Sequence, residues 1–229
     1  MAKLEFYARP SELFRYRSLG FDQGTFSMTR LDREIEAIVE GYIYCPRFNQ
    51  MNDPMEGFFE SARSIRRREN YEEVVSQIRD RKVDMGIASL AEGWSNELMW
   101  AHYADGFRGI CVAYSVDGLL QGFNDNCALA RMQYLDRPYK LDLETLDQKD
   151  HVRAILATKN LKWMYEREWR LFSPVSGKIA HGRCRAHAVY LGSRMYPDHI
   201  NQVTERLREV PGLEIIRTIV DGYDVKQAE

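Results

Sequence analysis

Hydrophobic and polar positions alternate with two different periods along the chain, which predicts short strands interleaved with helices. Residues 13–17 alternate between apolar and charged side chains, as expected of a half-buried strand. Apolar residues recur at helical spacing from 30 to 40, where Thr29 is the predicted N-cap. Runs typical of strands follow at 42–45 and, most clearly, at 108–114.

The remainder of the sequence also predicts short strands and helices. Further strands are predicted at 84–90, 129–135, 186–191 and 213–220, and further helices at 70–82, 95–103, 149–162 and 197–209, with Ser95 as the cap of the second of these helices. Several strands follow one another without an intervening helix. This order predicts an α+β fold: a single domain over residues 1–229 with a mixed, largely antiparallel sheet flanked by helices.

Composition narrows the class of protein. The chain has 32 basic and 34 acidic residues and a net charge of -2, which argues against a surface built throughout to hold nucleic acid. No apolar run approaches the roughly 20 residues that a membrane-spanning helix needs. The segment 1–6 lacks the pattern of a signal peptide. These features predict a cytoplasmic protein without a membrane partner.

Cysteine and histidine spacing predicts neither disulfides nor a metal site. The four cysteines, at 45, 111, 127 and 184, form no CxxC pair, which favours a reducing compartment. The five histidines, at 102, 151, 181, 187 and 199, form no HxxxH or HExxH group. We therefore expect no bound metal.

The run Tyr165-Glu166-Arg167-Glu168-Trp169-Arg170 carries the densest candidate chemistry. In a strand, Glu166, Glu168 and Arg170 share one face, and two carboxylates steadied by an arginine could stabilise a developing positive charge. In a helix, Glu166 and Arg170 would form an ion pair at i, i+4. The continuation into Leu171 and Phe172 favours the strand. Both a catalytic and a purely ion-paired interpretation fit the run.

Two earlier segments offer ligand-binding side chains. Arg15 and Arg17 lie on one face of the first predicted strand, and a guanidinium forms a rigid fork suited to phosphate or carboxylate. The alternative is a solvent-exposed face. Asn52 and Asp53, before Pro54, predict an Asx-type turn that either holds a loop shape or orders a loop over a ligand pocket.

The helix at 95–103 mixes bulky and polar side chains. Trp100 and Tyr103 share a helical face that is typical of a core. His102 points elsewhere on the helix, and its ordinary pKa suits proton transfer or a structural hydrogen bond. Four arginines at 63, 66, 67 and 68 could contact a nucleic-acid backbone or form a charged loop beside nearby glutamates.

Several of these blocks resemble a bacterial family known as domain of unknown function 2971. The similar segments are FRYRS (14–18), NDPMEG (52–57), ELMWAHYADGFRGICVAY (97–114), YEREWRLF (165–172) and VYLG (189–192). The family usually has Phe where this chain has Met51. The resemblance implies a bacterial protein but no established activity.

A weaker resemblance is to the ADP-ribosyltransferase fold. The order of an early arginine, a helix, the GYIY strand (41–44) and a late Glu-x-Glu pair matches that fold, although its Ser-Thr-Ser motif is missing. The resemblance implies an NAD-consuming enzyme, acting as a toxin or phage-defence effector. Cleavage of the nicotinamide–ribose bond passes through an oxocarbenium-like state.

The resemblance also implies roles for the candidate residues. Glu168 would stabilise the oxocarbenium charge, and Glu166 would activate an acceptor or water. His102 is the third catalytic candidate, on the separate ground that its ordinary pKa suits proton transfer. The ligand-binding set would be Arg15, Arg17, Tyr44, Asn52, Asp53, Trp100, Tyr103 and Arg170, with Arg15 or Arg17 on the pyrophosphate and Tyr44 or Trp100 on the nicotinamide. The alternative function is a non-catalytic module that recognises a small nucleotide, another ligand or nucleic acid; a macromolecular acceptor is not identified.

Overall fold

A computed structural model describes residues 9–20, 28–124, 126–142, 148–180 and 182–228. The strands are β1 Glu12–Arg17, β2 Ile43–Cys45, β3 Phe59–Ser61, β4 Gly86–Ala91, β5 Ile110–Ser115, β6 Ala128–Arg131, β7 Gln133–Leu135, β8 Tyr139–Leu141, β9 Thr158–Asn160, β10 Glu168–Ser173, β11 Gly177–Ile179, β12 Ala188–Leu191, β13 Glu214–Asp221 and β14 Asp224–Gln227. The helices are α1 Met28–Val39, α2 Arg63–Arg66, α3 Tyr71–Asp84, α4 Glu97–Tyr103, α5 Val116–Gly122, α6 Gln148–Leu156 and α7 Pro197–Leu207, and 3₁₀ turns cover Phe48–Gln50 and Leu161–Glu166.

The contacts within the chain group its described residues into two compact units. The first unit draws on Met1–Gly41, Ala91–Gly122 and Gly182–Glu229, and the second on Tyr42–Leu90 and Phe123–His181. The single domain over residues 1–229 stays a prediction.

The first unit is built on five neighbouring strands. Their order is β14-β13-β12-β5-β1, and every neighbouring pair is antiparallel except the parallel pair β12 and β13. In the long pairing of β1 with β5, Arg15 lies opposite Val112. Helices α1, α4, α5 and α7 belong to the same unit, and its aromatic core is centred on Trp100.

The second unit combines the neighbouring strands β4, β10 and β6 with three two-stranded ladders. Strands β10 and β6 run antiparallel, and Arg170 lies opposite Ala130. The small ladders are the antiparallel pair β2 and β11 and the parallel pairs β3 with β8 and β7 with β9. Helices α3 and α6 supply Ile78 and Ile155 to the core, where both side chains are fully buried. The predicted class, α+β with a mixed, mostly antiparallel sheet, is confirmed.

Several predicted boundaries are wrong for identifiable reasons. The helix predicted at 149–162 ends at Leu156, because Thr158–Asn160 pair with β7 as strand β9. The Thr158 hydroxyl donates back to the Ala154 carbonyl oxygen at 2.7 Å. The strand predicted at 129–135 is interrupted at Met132. Helix α1 begins at Met28, so Thr29 lies inside the helix.

Two further corrections concern capping and burial. The cap of α4 is Asn96, whose side-chain oxygen accepts hydrogen bonds from the backbone N–H groups of Leu98 and Met99, and Ser95 precedes it. Strand β1 is buried on both faces from Leu13 to Tyr16 and is therefore not half-buried.

Candidate functional site

The predicted site residues fall into two groups. Arg15, Arg17, Trp100, His102 and Tyr103 lie in the first unit. The others lie in the second unit: Tyr44, Asn52, Asp53, Glu166, Glu168 and Arg170. In the first group, the rings of His102 and Tyr103 lie 6.3 Å apart. In the second group, Glu166, Glu168 and Arg170 come together: Glu168 contacts Arg170 directly, and Lys159 joins it to Glu166.

Those three residues belong to a buried charge network that also contains Glu56 and Lys159. Arg170 donates from Nε to Glu168 Oε1 at 2.8 Å and from Nη1 to Glu56 Oε1 and the Leu156 carbonyl oxygen. Lys159 Nζ lies 2.6 Å from Glu166 Oε2 and 3.3 Å from Glu168 Oε2. The side chains of these five residues are at most 8% exposed, so the network is shielded from water.

The local backbone explains how both glutamates reach one lysine. The 3₁₀ turn ends at Glu166, and Arg167 then adopts a left-handed conformation (φ 45°, ψ 47°) before β10 begins at Glu168. The predicted strand is therefore right only from Glu168 onward, and the helical alternative for the run is wrong. With Arg167 in this conformation, Glu166 and Glu168 both contact Lys159 although only Glu168 lies in the strand.

The network keeps its groups ionised. Burial raises the pKa of Glu168, but Arg170 and Lys159 outweigh burial, with hydrogen bonds from Arg170 and Ser89, and lower that pKa to about 2. Burial lowers the pKa of Lys159, whereas Glu168 and Glu166 raise it, and the net direction is upward. A carboxylate so strongly paired is a poor general base at neutral pH.

The loop that contains Asn52 and Asp53 is held by the network and by a second cation. Asp53 Oδ1 accepts a hydrogen bond from the Met55 backbone N–H at 2.9 Å, which is the predicted Asx-type turn. Two further residues of the loop each accept from a buried cation: Glu56 pairs with Arg170, and the Gly57 carbonyl oxygen accepts from Lys82 Nζ at 2.7 Å.

Lys82 is a buried cation that the sequence patterns did not single out. Its Nζ lies 4.8 Å from the ring centroid of Phe48 and 5.4 Å from that of Phe59. Burial lowers its pKa, and the charge of Arg79 lowers it further. Gly57 has φ +66°, and a Cβ there would lie 3.2 Å from Lys82 Nζ, so this glycine allows the contact.

The arginines of β1 have structural contacts in the first unit. Arg17 donates from Nε to Glu34 Oε2 at 2.7 Å, and its second nitrogen pairs with the other carboxylate oxygen. Arg15 is 8% exposed, which rules out the solvent-facing alternative for that residue. Arg15 also lowers the pKa of Glu34, after Arg17.

Helix α4 presents its predicted residues in different environments. Trp100 is fully buried, donates from Nε1 to the Trp94 carbonyl oxygen at 2.6 Å, and packs edge-on against Tyr16. Its ring therefore belongs to the core and has no surface for stacking on nicotinamide. Tyr103 is half-buried, and His102 is exposed.

The remaining candidates are at the surface of the second unit. Tyr44 on β2 is 46% exposed. The four arginines at 63, 66, 67 and 68 are all exposed, and the first three of them form or flank α2, not the predicted loop.

The second unit also contains a cavity of about 480 Å³. Helix α3 supplies Arg81 and Asp84, helix α6 supplies Val152 and Arg153, and the end of β10 supplies Phe172. Sequence reasoning missed these residues, because Arg81 and Arg153 look like ordinary polar positions of two helices. Only the packing of α3 beside α6 gives them a common surface.

Comparison with known proteins gives one match. Residues 99–171 match a family model described as a protein of unknown function, DUF2971. The predicted resemblance to that family is confirmed over this segment, which contains all but the first two residues of the block at 97–114 and the whole YEREWR run. The blocks at 14–18, 52–57 and 189–192 lie outside the matched segment. No curated protein and no solved structure shows significant similarity to the chain, and the ADP-ribosyltransferase resemblance gains no support.

In the part of the chain that the structure describes, no group of three or more His, Cys, Asp or Glu side chains is placed to hold a metal ion. None of the helices in that part is long and apolar enough to cross a membrane. His181 and the N-terminal segment 1–6 lie outside the described residues.

Proposed function

We propose that the protein is a non-catalytic recognition module for a small anionic ligand, and that the YEREWR run is a structural element of that module. The observation that carries this proposal is the pairing of Glu168: its carboxylate is 4% exposed and is bound by Arg170 and Lys159. A carboxylate that stabilises an oxocarbenium ion must contact the substrate. Here the same oxygens contact protein cations.

The energetics favour this structural role. Two buried cations face three buried carboxylates, and each ion would cost several kcal/mol if it were buried without a partner. Drawing Glu168 out to a substrate would leave the Arg170 guanidinium partly unpaired inside the unit. The network therefore opposes the motion that catalysis by Glu168 would need.

NAD cleavage, and with it a toxin or phage-defence role, stays the competing prediction. In that case Glu168 is needed for a reaction, whereas in the proposed function it is needed for stability. The substitution Glu168→Gln separates the two, because it removes the charge and keeps the side-chain length. Glu60→Gln in β3 is the matched control, since Glu60 is an exposed glutamate of the same unit.

The experiment measures nicotinamide release from NAD and urea unfolding for the wild type and both variants. We expect no nicotinamide release above buffer from any of them. We expect Glu168→Gln to lower the free energy of unfolding by about 3 kcal/mol, because it uncouples a buried ion pair, and Glu60→Gln to leave it unchanged. A folded, equally stable Glu168→Gln protein that has lost a measurable release of nicotinamide would overturn the proposal.

A further inference from the structure

The cavity in the second unit has the size and lining of a small-molecule site. Its volume, about 480 Å³, falls within the roughly 300–1,000 Å³ of ligand pockets. Met85, which is half-buried, and Pro174, which is exposed, give the cavity accessible apolar surface, whereas Phe172 and Val152 are only 2% and 1% exposed. The surface of Met85 and Pro174 suits an apolar ring of a ligand, and the polar groups at the rim determine which other groups the ligand carries.

Two guanidinium groups place positive charge at the rim of the cavity. Arg81 is exposed and Arg153 is half-buried, and both line the cavity. Among the described residues, neither guanidinium has a hydrogen-bonding or ion-pair partner. This distinguishes them from Arg17 and Arg170, whose guanidinium groups bind carboxylates of their own unit. An arginine fork left without a protein partner beside a cavity suits a phosphate or carboxylate of a ligand.

The other polar groups that line the cavity indicate which further functional groups its ligand carries. Asp84 and Asn126 line the same cavity, and within the described residues their side chains have no hydrogen-bonding partner. A carboxylate and an amide beside two arginines suit a ligand that carries hydroxyl or amino donors as well as an anionic group. A purely anionic ion would be repelled by Asp84.

We propose that this cavity binds a small phosphorylated molecule in which a ring and hydroxyl groups accompany the phosphate, as in a nucleoside monophosphate. Arg81 and Arg153 bind the phosphate, Asp84 and Asn126 bind hydroxyl or amino groups, and the ring lies against Met85 and Pro174. This inference rests on the proposed function, since it names the ligand class that the recognition module would take.

The test is calorimetric titration of the full chain at low salt with four probes: AMP, adenosine, ribose 5-phosphate and inorganic phosphate. We expect AMP to bind most tightly. Adenosine lacks the anion and ribose 5-phosphate lacks the base, so each should bind at least about tenfold more weakly than AMP. Tight binding of inorganic phosphate alone would indicate a simple anion site and overturn the proposed ligand class.

Substitutions locate the binding in the cavity. Arg81→Gln and Arg153→Gln should each weaken AMP binding by about tenfold or more, because each removes charge-assisted hydrogen bonds. Arg79→Gln is the matched control: it removes an exposed arginine of the same helix that does not line the cavity. Thermal unfolding of each variant confirms that it is folded. If all three variants bind AMP like the wild type, or if AMP does not bind, the inference is wrong.

The two proposals can fail separately. Loss of nicotinamide release in a stable Glu168→Gln protein overturns the proposed function and does not involve Arg81 or Arg153. Unchanged AMP binding after both cavity substitutions overturns the cavity assignment and leaves the structural role of Glu168 standing.

Discussion

Arg170 joins three separate parts of the second unit. Its guanidinium is fully buried and donates to Glu168, to Glu56 and to the carbonyl oxygen of Leu156. It therefore ties strand β10 to the loop at 52–57 and to the last residue of α6. A bidentate fork can serve several acceptors at fixed angles, which a lysine ammonium at the same position could not reproduce.

Arg170→Met tests this dependence. The methionine fills much of the arginine's space but leaves Glu56 and Glu168 buried without their cation, so we expect a loss of about 3–5 kcal/mol in the free energy of unfolding. Urea denaturation of the purified variant measures it. Arg137→Met, an exposed arginine of the same unit, should change stability little.

The double variant Arg170→Met/Glu168→Gln supplies the internal check. If the two residues are coupled, removing both should cost clearly less than the sum of the two single losses. Additive losses would contradict the pairing of Arg170 with Glu168 as the source of the effect.

At the residue scale, sequence reasoning could find part of this network. The ion-paired interpretation of the YEREWR run anticipates the contact between Glu168 and Arg170, because residues at i and i+2 of a strand share a face. Glu56 and Lys159 could not be found in this way. They lie 114 and 11 positions from Arg170 and meet it or its partners only through the fold.

At the scale of elements, helix α4 depends on a cap that the sequence pattern placed one residue too early. Both Ser95 and Asn96 are good caps, and the pattern alone does not separate them. In the structure, Asn96 accepts from the backbone N–H groups of Leu98 at 3.0 Å and Met99 at 3.2 Å. This single side chain satisfies two of the unpaired donors in the first turn.

Asn96→Ala should therefore lower the free energy of unfolding by about 1 kcal/mol, whereas Ser95→Ala should leave it nearly unchanged. The neighbouring serine, which the sequence favoured, is the matched control. Thermal or urea unfolding of both variants measures the difference. Equal losses, or a larger loss for Ser95→Ala, would contradict the assignment of the cap.

Other element boundaries could not be predicted for similar physical reasons. Strand β1 alternates apolar and charged residues, but Arg15 is buried together with its neighbours, so both faces of the strand are covered. Short strands such as β3 and β9 have three residues each and pair in parallel with distant partners. The sequence of a three-residue strand carries too little pattern to identify the strand with which it pairs.

At the scale of the whole molecule, two of the segments that resemble the DUF2971 family, 97–114 and 189–192, pack closely against each other. Gly192 ends the VYLG block, and a Cβ there would lie 2.6 Å from the Phe107 carbonyl carbon. Phe107 and Gly109 belong to the block at 97–114, and Gly192 donates its N–H to the Gly109 carbonyl oxygen at 3.0 Å. Sequence resemblance identified these blocks, but only the fold explains why such close backbone contact requires a glycine.

Acid stability is the last property that follows from the buried charges. The folded pKa of Glu168 is about 2, whereas an unfolded glutamate has a pKa of about 4.3. The folded state therefore stays ionised where the unfolded state takes up a proton. The stabilisation from Glu168 is complete above about pH 4.3 and is lost as the pH falls toward 2, a change of about 3 kcal/mol.

The measurement is the free energy of unfolding of the wild type and Glu168→Gln between pH 6 and pH 2.5. We expect the difference between them to shrink as the pH falls, because acid removes in the wild type the same charge that the substitution removes. Glu34→Gln is a matched comparison from the first unit and should show the same trend, since Arg17 outweighs burial and lowers the pKa of Glu34. A difference for Glu168→Gln that stays constant across this range would show that its charge does not stabilise the fold.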